Sequence, residues 1–488
     1  MKRSKFNLSH YKLLTMDMGF LIPITWFEAL PGDSIRMSTS ALVRVSPLLS
    51  PVMHPVRVRI HHWFVPYRLI WDDFADFITG GEDGLDDTEP PYVSMSSNAE
   101  GTIYDYLGIP AETFAGSLQY SALPLRAYNL IFNEHYRDQD LITAVDISKG
   151  NGSDTTTYAG LLRAAWPKDY ITTARPWESK GDTVTIPLGD AADVVSAGDG
   201  IPSFYAGGGS VRAMYGSSGN NVMLYNAAAD ASGATTWQDP KLEADLSTAT
   251  GVAINDLRRA LAMQRAQEAR AQYGSRYVEY LRYLGVRSSD ARLQNPEYLG
   301  GGRQTIQFSE VLQTAEGTDP VADMKGHGLA AMRTNRFMRY FEEHGIVMTI
   351  MSVIPKSIYT QNVHRSWLRT TKEDYYQKEL QFIGEQEVYN QEVYGAHSSP
   401  SDVFGYQARY DEYRSHPSTI AGEFRSTLNH WHYGRIHSSD VALNQSFVEA
   451  NPTKRVNADQ SSDCLYVMAN HSVQARRMLT PKAYTKTF

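Results

Sequence analysis

The amino-acid sequence predicts a mainly β protein, an antiparallel sandwich carrying large insertions, and three observations lead there. Strict apolar–polar alternation runs through residues 34–45 and resumes at 56–61. A period of two places successive side chains on opposite faces, the pattern of a strand with one face on a core and the other in water. Gly345–Pro355 (GIVMTIMSVIP) is almost continuously apolar, the pattern of a central strand covered on both faces. Long stretches rich in Gly, Ala, Ser, Thr, Asn and Asp separate these regions, so the sandwich draws its strands from both ends of the chain.

Each element follows in order. Leu21–Leu30 (LIPITWFEAL) is apolar and β-prone and breaks at Pro31-Gly32-Asp33. There Pro fixes φ, Gly permits φ > 0 and Asp bonds nearby backbone, a turn. Beyond it Ile35, Met37, Ala41, Val43 and Val45 share one face, and Ser34, Arg36, Ser38, Ser40 and Arg44 the other. After Pro47, Pro51 and Pro55, Val56, Val58 and Ile60 point one way and Arg57, Arg59 and His61 the other. Arg68–Gly80 has helical spacing, with Leu69, Phe74 and Phe77 forming one face. Arg126–Arg137 (RAYNLIFNEHYR) reads as a helix with aromatics placed for core packing.

From Asp146 the character changes. Asn151–Thr157, Ala191–Ile201, Gly207–Gly219 and Ala227–Thr236 are loop-like, with strand-like pieces at Thr183–Leu188 and Val222–Tyr225 between them. Loops this long in a compact domain are functional or disordered. Residues 145–245 therefore read as an exposed, sequence-tolerant insertion, and Arg212 is its only cation between Gly181 and Pro240. Asn255–Tyr273 is the clearest helix, with Asn255 as N-cap, Asp256 in the first turn and Gly274 as the stop. Its apolar stripe is thin, Leu257, Leu261 and alanines, which suits packing over a sheet or a neighbour. Three regions result: 1–80, an N-terminal arm and the first strands; 81–250, loop insertions; and 251–488, a helix, the remaining strands, interfacial loops and a basic tail.

Composition and charge exclude several classes. With 42% hydrophobic and 20% charged residues the 488-residue chain is globular. One cysteine, Cys464, leaves no intramolecular disulfide and suits a reducing compartment. There is no signal-peptide pattern and no apolar run of membrane-spanning length, so a cytosolic site of synthesis is expected. The net charge of −8 is wrong for a global nucleic-acid binder, but the charge is unevenly placed. Lys2, Arg3, Lys5 and Lys12 precede the first carboxylate, Asp17, and the chain beyond Cys464 carries Arg476, Arg477, Lys482 and Lys486 and no acid. Glu82, Asp83, Asp86, Asp87 and Glu89 form an acidic loop whose spacing does not match an EF-hand.

Catalytic constellations are absent: no GxxxxGK[ST], HExxH, CxxC or GxSxG occurs. Gly207–Gly209 and Gly300–Gly302 read as loop glycines. Alternation would put His430 and His432 on one side of a strand near His437, as two zinc or copper ligands require, but no carboxylate or cysteine completes a set. These histidines, like His61 and His62, read as satisfied surface or interface residues, and no catalytic residue, metal or cofactor is assigned. Tyrosine dominates the aromatics, 30 against 17 Phe and 8 Trp. Tyr375, Tyr376, Tyr389, Tyr394, Tyr406, Tyr410 and Tyr413 concentrate where an interface with a rigid apolar body and polar tips is wanted.

Six collinear segments carry a family resemblance. They are LPGD followed by SPVMHPVRVRIHHWFVPYRLIWDDF, SRYVEYL (Ser275–Leu281), RLQNPEYLGGG (Arg292–Gly302), EEHGIVMTIMSVIPKSIYTQ (Glu342–Gln361), GEQEVYNQEVY (Gly384–Tyr394) and FGYQARYDEYR (Phe404–Arg414). Together they resemble the major capsid protein of the microviruses, small tailless icosahedral single-stranded DNA bacteriophages, in its gokushovirus-like branch. The resemblance implies an eight-stranded antiparallel jelly roll, the viral capsid β-barrel, with long insertion loops. It implies self-assembly into a T=1 icosahedral shell around single-stranded DNA, without turnover or cofactor, made in the bacterial host cytoplasm and ending in the virion capsid. In such a shell Lys2, Arg3, Lys5, Lys12, Arg476, Arg477, Lys482 and Lys486 face DNA and the seven tyrosines face neighbouring subunits. Gly207, Arg212, Tyr215, Asn220 and Trp237 mark an exposed loop for a bacterial surface receptor. Further partners are a small basic DNA-packaging protein and assembly proteins. A β-sandwich carbohydrate-active enzyme or glycan-binding protein is the competing reading, though the sequence offers it no carboxylate pair.

Overall fold

The alternating segments form two antiparallel sheets whose apolar faces meet. The computed structural model of the chain describes residues 3–184, 193–196, 203–206, 210–213, 215–216, 222–223, 236–239, 241–245, 254–274, 276–315 and 320–480. The sandwich strands are β1 (Ser4–Asn7), β2 (His10–Met16), β3 (Ile22–Ala29), β4 (Ser34–Val45), β5 (Val56–Pro66), β6 (Glu297–Thr305), β7 (Gln307–Leu312), β8 (Met324–Arg333), β9 (Phe337–Tyr340), β10 (Gly345–Pro355) and β11 (Leu465–Arg477). One sheet has seven strands: β1, β11, β4, β8 and β7 in that order, with β2 also paired to β11 and β9 to β4. The other has four, in the order β6, β5, β10, β3. The antiparallel sandwich built from both chain ends thus forms, with seven and four strands where the jelly-roll expectation counts eight.

Side-chain alternation fixes which faces meet. Ala41, Val43, Val45, Val467, Ala469, Ala330 and Met332 from the larger sheet pack against Ile22, Ile24, Val56, Val58, Ile60, Met351 and Val353 from the smaller. Each valine, isoleucine or methionine among them, once buried, contributes roughly 1.5–3 kcal/mol relative to exposure. The turn between β3 and β4 makes the crossing: Gly32 has φ +84°, and Asp33 Oδ2 accepts from Leu30 N at 3.0 Å. β10 is buried at every residue because its sheet is covered twice. Val347, Met351 and Val353 face the larger sheet, whereas Met348, Ile350 and Ile354 face a second core.

That second core corrects the expected insertion boundary. It is built on α1 (Leu123–Ile131), which continues into a π-helical turn, Phe132–Tyr136, within the segment read as helical. Leu162, Ala164, Trp166, Tyr170, Ile171 and Ala174, expected in the exposed insertion, are buried there. The chain divides instead into a unit of residues 1–180 and 268–488 and a unit of 181–267. Within the latter, Ser203–Ala206 pairs with Ser210–Ala213 and Thr236–Asp239, Tyr215–Gly216 with Val222–Met223, and Asp193–Ser196 with Leu242–Asp245.

Three further expectations differ in detail. Arg68–Gly80 is not one helix: a 3-10 turn at Tyr67–Leu69 precedes a helix at Phe74–Thr79, and Trp71 packs on Phe74 and Phe77 at 5.6 and 4.8 Å. Helix α2 (Ile254–Tyr273) starts before Asn255, which is a first-turn residue and not the cap; Leu257 and Leu261 stay exposed, and Gly274 ends the helix with φ +93°. Gly300–Gly302 are not loop glycines but lie within β6, at a bulge opposite β5. A Cβ on Gly301 would sit 2.3 Å from Ile60 O, so the two backbones meet where only glycine fits. No described helix is long and apolar enough to cross a membrane.

Candidate assembly and nucleic-acid surfaces

The groups that could carry chemistry are mostly tied into the structure. His430 and His432 lie on and just after a 3-10 turn, Asn429–Trp431, rather than on a strand. His432 Nε2 bonds Phe424 O at 2.8 Å and its Nδ1 accepts from Gly434 N at 2.9 Å. His61 Nδ1 bonds the Tyr136 hydroxyl at 2.7 Å. His62 is not a surface residue: it is fully buried, with Nδ1 on Thr349 Oγ1 at 2.9 Å and Nε2 on Thr334 Oγ1 at 3.1 Å. Thr334 Oγ1 also accepts from Thr39 N at 2.9 Å, and Thr39 Oγ1 bonds buried His471 Nδ1 at 2.9 Å. This polar line joins the sheets through hydrogen-bonded groups and ends at His471 Nε2, which is buried without a hydrogen-bond partner among the described residues. Burial pushes the His62 and His471 imidazoles down to about 3, with His61 beside the first and His10 beside the second adding to the effect. The buried Cys464 thiol is pushed up to about 12 by burial, away from the reactive thiolate. Among the described residues no group of three His, Cys, Asp or Glu could hold a metal.

The tyrosines separate into supports and exposed faces. Tyr375, Tyr376, Tyr410 and Tyr413 come together: Tyr410 lies 5.4 Å from Tyr376 and 6.0 Å from Tyr413, and Arg369 sits over Tyr413 at 4.4 Å and Tyr375 at 5.4 Å. Tyr410, expected at the subunit contact, is only 3% exposed, and its hydroxyl accepts from Gln377 N at 3.2 Å. It is the post on which the shelf rests, so it is not itself an outward contact. Tyr375, Tyr376 and Tyr413 remain about half exposed, and Trp367 nearby in sequence is 84% exposed. Buried pairs hold the frame: Arg369 with Glu412 at 3.3 Å and Arg365 with Glu392 at 2.9 Å. Tyr389 lies under Arg365 at 5.3 Å, Tyr394 edge-on to His437 at 6.2 Å, and Tyr406 exchanges backbone hydrogen bonds with Arg175 at 2.7 and 2.8 Å.

The terminal cations also separate. Lys5 of β1 lies directly opposite Arg476 of β11, both exposed on the outer face of the seven-stranded sheet. Arg3 is exposed beside them, over the Tyr340 ring at 4.9 Å. Lys12 and Arg477, expected to face DNA, are committed inward. Lys12 Nζ donates to Tyr106 O, and burial pulls its pKa down to about 8, with Asp105 acting the other way. Arg477 Nε pairs with Asp33 Oδ2 at 3.0 Å and its Nη2 donates to Glu28 O at 2.6 Å, closing the β3–β4 turn. Lys2, Lys482 and Lys486 fall outside the described residues, as do Gly207 and Asn220 of the expected host-contact loop. The backbones of Arg212, Tyr215 and Trp237 lie on short strands of the 181–267 unit.

The sheet pairing adds cations that the termini alone do not reveal. Arg36 of β4 is flanked by Gln474 and Met338, and Arg44 by Tyr466 and Leu329. Arg333 of β8 lies opposite Ser40. Alternation of β4 already turned Arg36 and Arg44 outward; that Lys5, Arg333 and Arg476 join them is decided by register.

Two closely packed sheets, buried histidines without a ligand role and exposed aromatic and cationic faces define a structural protein that works through its surfaces. The sequence model of the family described as capsid protein (F protein) matches residues 1–480, and the chain belongs to that family. It is 37% identical over 476 residues to the capsid protein VP1 of Bdellovibrio phage phiMH2K, covering 92% of this chain and 88% of that protein. Identity is 32% to the capsid protein VP1 of Chlamydia phage 1 (92% and 89% covered) and 29% to that of Spiroplasma virus 4 (92% and 87% covered). The protein is thus a structural capsid protein of a microvirus-type bacteriophage virion, not an enzyme, and the carbohydrate-active reading falls.

Proposed function

We propose that the chain is the major shell subunit, assembling with copies of itself into a closed T=1 icosahedral capsid around single-stranded DNA. The observation that carries this is the capsid-family match along residues 1–480, on a chain whose core is a double-sheet sandwich. A closed shell needs heterologous contacts that close into rings, many of them and individually modest. The exposed Tyr375, Tyr376 and Tyr413 suit such a contact. Residues 190–235 are the proposed site of bacterial receptor contact, and a small basic packaging protein with assembly proteins completes the particle in the host cytoplasm. Light scattering and electron microscopy of the full chain, alone and with the phage's other proteins, test this. Uniform closed particles, or pentamers that close when partners are added, support it; a monomer that never assembles overturns it. Deleting 190–235 is expected to abolish adsorption to host cells, and unchanged adsorption would remove the receptor role.

A further inference from the structure

We infer that the outer face of the seven-stranded sheet is a binding surface for single-stranded nucleic acid, an inference that rests on the shell reading above. Register arranges this face in rows across the strands. Lys5, Arg476 and Ser34 make one row with Tyr340; Asn7, Gln474 and Arg36 make the next with Met338. Tyr11, Asn470, Ser40 and Arg333 follow, and Tyr466 and Arg44 close the series with Leu329. At about 3.4 Å per residue, Ser34 to Arg44 spans roughly 34 Å.

Two properties select the ligand. First, these rows hold five exposed cations, Lys5, Arg36, Arg44, Arg333 and Arg476, and no carboxylate. None of the five has a carboxylate partner among the described residues. Acids lie at its margins: Asp463 precedes β11 and accepts from Thr15 Oγ1 at 2.5 Å, Glu100, Asp105 and Glu112 line a cleft beside Leu13 and Tyr466, Asp323 pairs with Lys325 at 2.9 Å, and Glu310 sits on the edge strand at the opposite parity. In a chain of net charge −8 this is a concentrated local excess of positive charge. Second, large apolar and aromatic side chains are interleaved with the cations: Tyr11 is 71% exposed and Leu13 68%, with Tyr340, Tyr466 and Met468 also open. A cationic track with exposed rings suits a flexible single strand, whose phosphates take the charge and whose unpaired bases stack on the rings. A protein partner could also use exposed rings, but five cations with no acid among them match a polyanion, and an oligonucleotide titration separates the two.

Fluorescence anisotropy of the full-length protein with a labelled 20-nucleotide oligo(dT), across a potassium chloride series, tests this. Affinity should fall with salt at a log–log slope of about −0.7 per phosphate neutralised, near −3.5 for five contacts. The combined variant Arg36→Gln, Arg44→Gln, Arg333→Gln and Arg476→Gln should lose at least about tenfold in affinity at 50 mM salt and most of that slope. The four-Lys counterpart should keep both, and thermal melts of each variant report folding. As a control, Arg57→Gln, Arg59→Gln and Arg303→Gln remove three cations of the other sheet. Loss in that control with none in the sheet-face variant overturns the inference, as does wild-type binding with no salt dependence. Unchanged DNA affinity with lost particle formation also overturns it, making this face a contact between copies. Electron microscopy of the same samples keeps the readings apart: particles with unaltered DNA affinity leave the shell reading standing and remove only this surface.

Discussion

Arg126 Nε donates to Asp154 Oδ2 across 2.7 Å, with both side chains sealed from solvent. The guanidinium also donates to Ile70 O at 3.1 Å and Gly150 O at 3.0 Å. Asp154 Oδ2 accepts in addition from Thr157 Oγ1 at 2.7 Å. A loop distant from the sandwich strands in sequence is thereby pinned to α1. Removing one partner of such a pair strands a buried charge, a cost of about 3–5 kcal/mol. Arg126→Met and Asp154→Leu should each lower the unfolding free energy from urea titration by that amount, and the double variant should lose less than the sum of the two. Strict additivity in the cycle would show that the pair is not coupled.

The buried histidines give a signed pH dependence. Unfolded imidazoles titrate near 6.5, whereas folded His62 and His471 titrate near 3. Between these values the unfolded chain binds protons that the folded chain refuses. Unfolding free energy therefore rises with pH in that window. The contribution of these histidines should be level above about pH 7 and fall as the pH drops through 6.5 toward 4.5. His62→Gln and His471→Gln should each reduce the slope of urea stability against pH; an unaltered slope in both would assign it to other groups.

Arg59 and Arg303 stand directly opposite each other on β5 and β6, with Arg57 two residues along. Burial lowers the Arg59 pKa, and Arg57 and Arg303 lower it further. Like charges directly opposite destabilise a sheet by a fraction of a kcal/mol, so Arg59→Gln should raise stability by about 0.2–1 kcal/mol. A melting temperature below wild type would contradict this.

Gly301→Ala should cost at least about 1–3 kcal/mol, the range for forcing extra volume into a packed site. The added Cβ meets Ile60 O at 2.3 Å, and Tyr298 and His61 crowd it from the other sides. Gly101→Ala is a contrast: its φ of +71° strains any Cβ, but nothing lies within 4 Å. Gly301 has no such positive φ, so a loss no larger than that of Gly101→Ala would mean that its close contacts relax at little cost.

Stability and assembly should separate at the tyrosine shelf. Tyr410→Ala opens a cavity beneath Tyr376 and Tyr413 and should cost about 3–5 kcal/mol by urea titration. Trp367→Ala removes an exposed ring and should change stability by less than about 0.5 kcal/mol. Particle yield should nevertheless fall in the second variant, and an unchanged yield would exclude Trp367 from the contact.

What the sequence determined by itself was the set of local faces. The alternation in Ser34–Val45 named the buried residues Ile35, Met37, Ala41, Val43 and Val45 and turned Arg36 and Arg44 outward. Period and turn chemistry are local properties, and the six collinear segments carried the family before any coordinate did. What only the tertiary structure decided were relations across hundreds of residues. Lys12 and Arg477 look like their neighbours Lys5 and Arg476, yet strand parity turns the first pair inward and the second out. Trp166 and Tyr170 sit in a loop-like stretch, but the second face of the β10 sheet needs a cover and they supply it. The cause is the same in each case: a strand's period fixes which residues share a face, while only pairing and packing fix which face meets water.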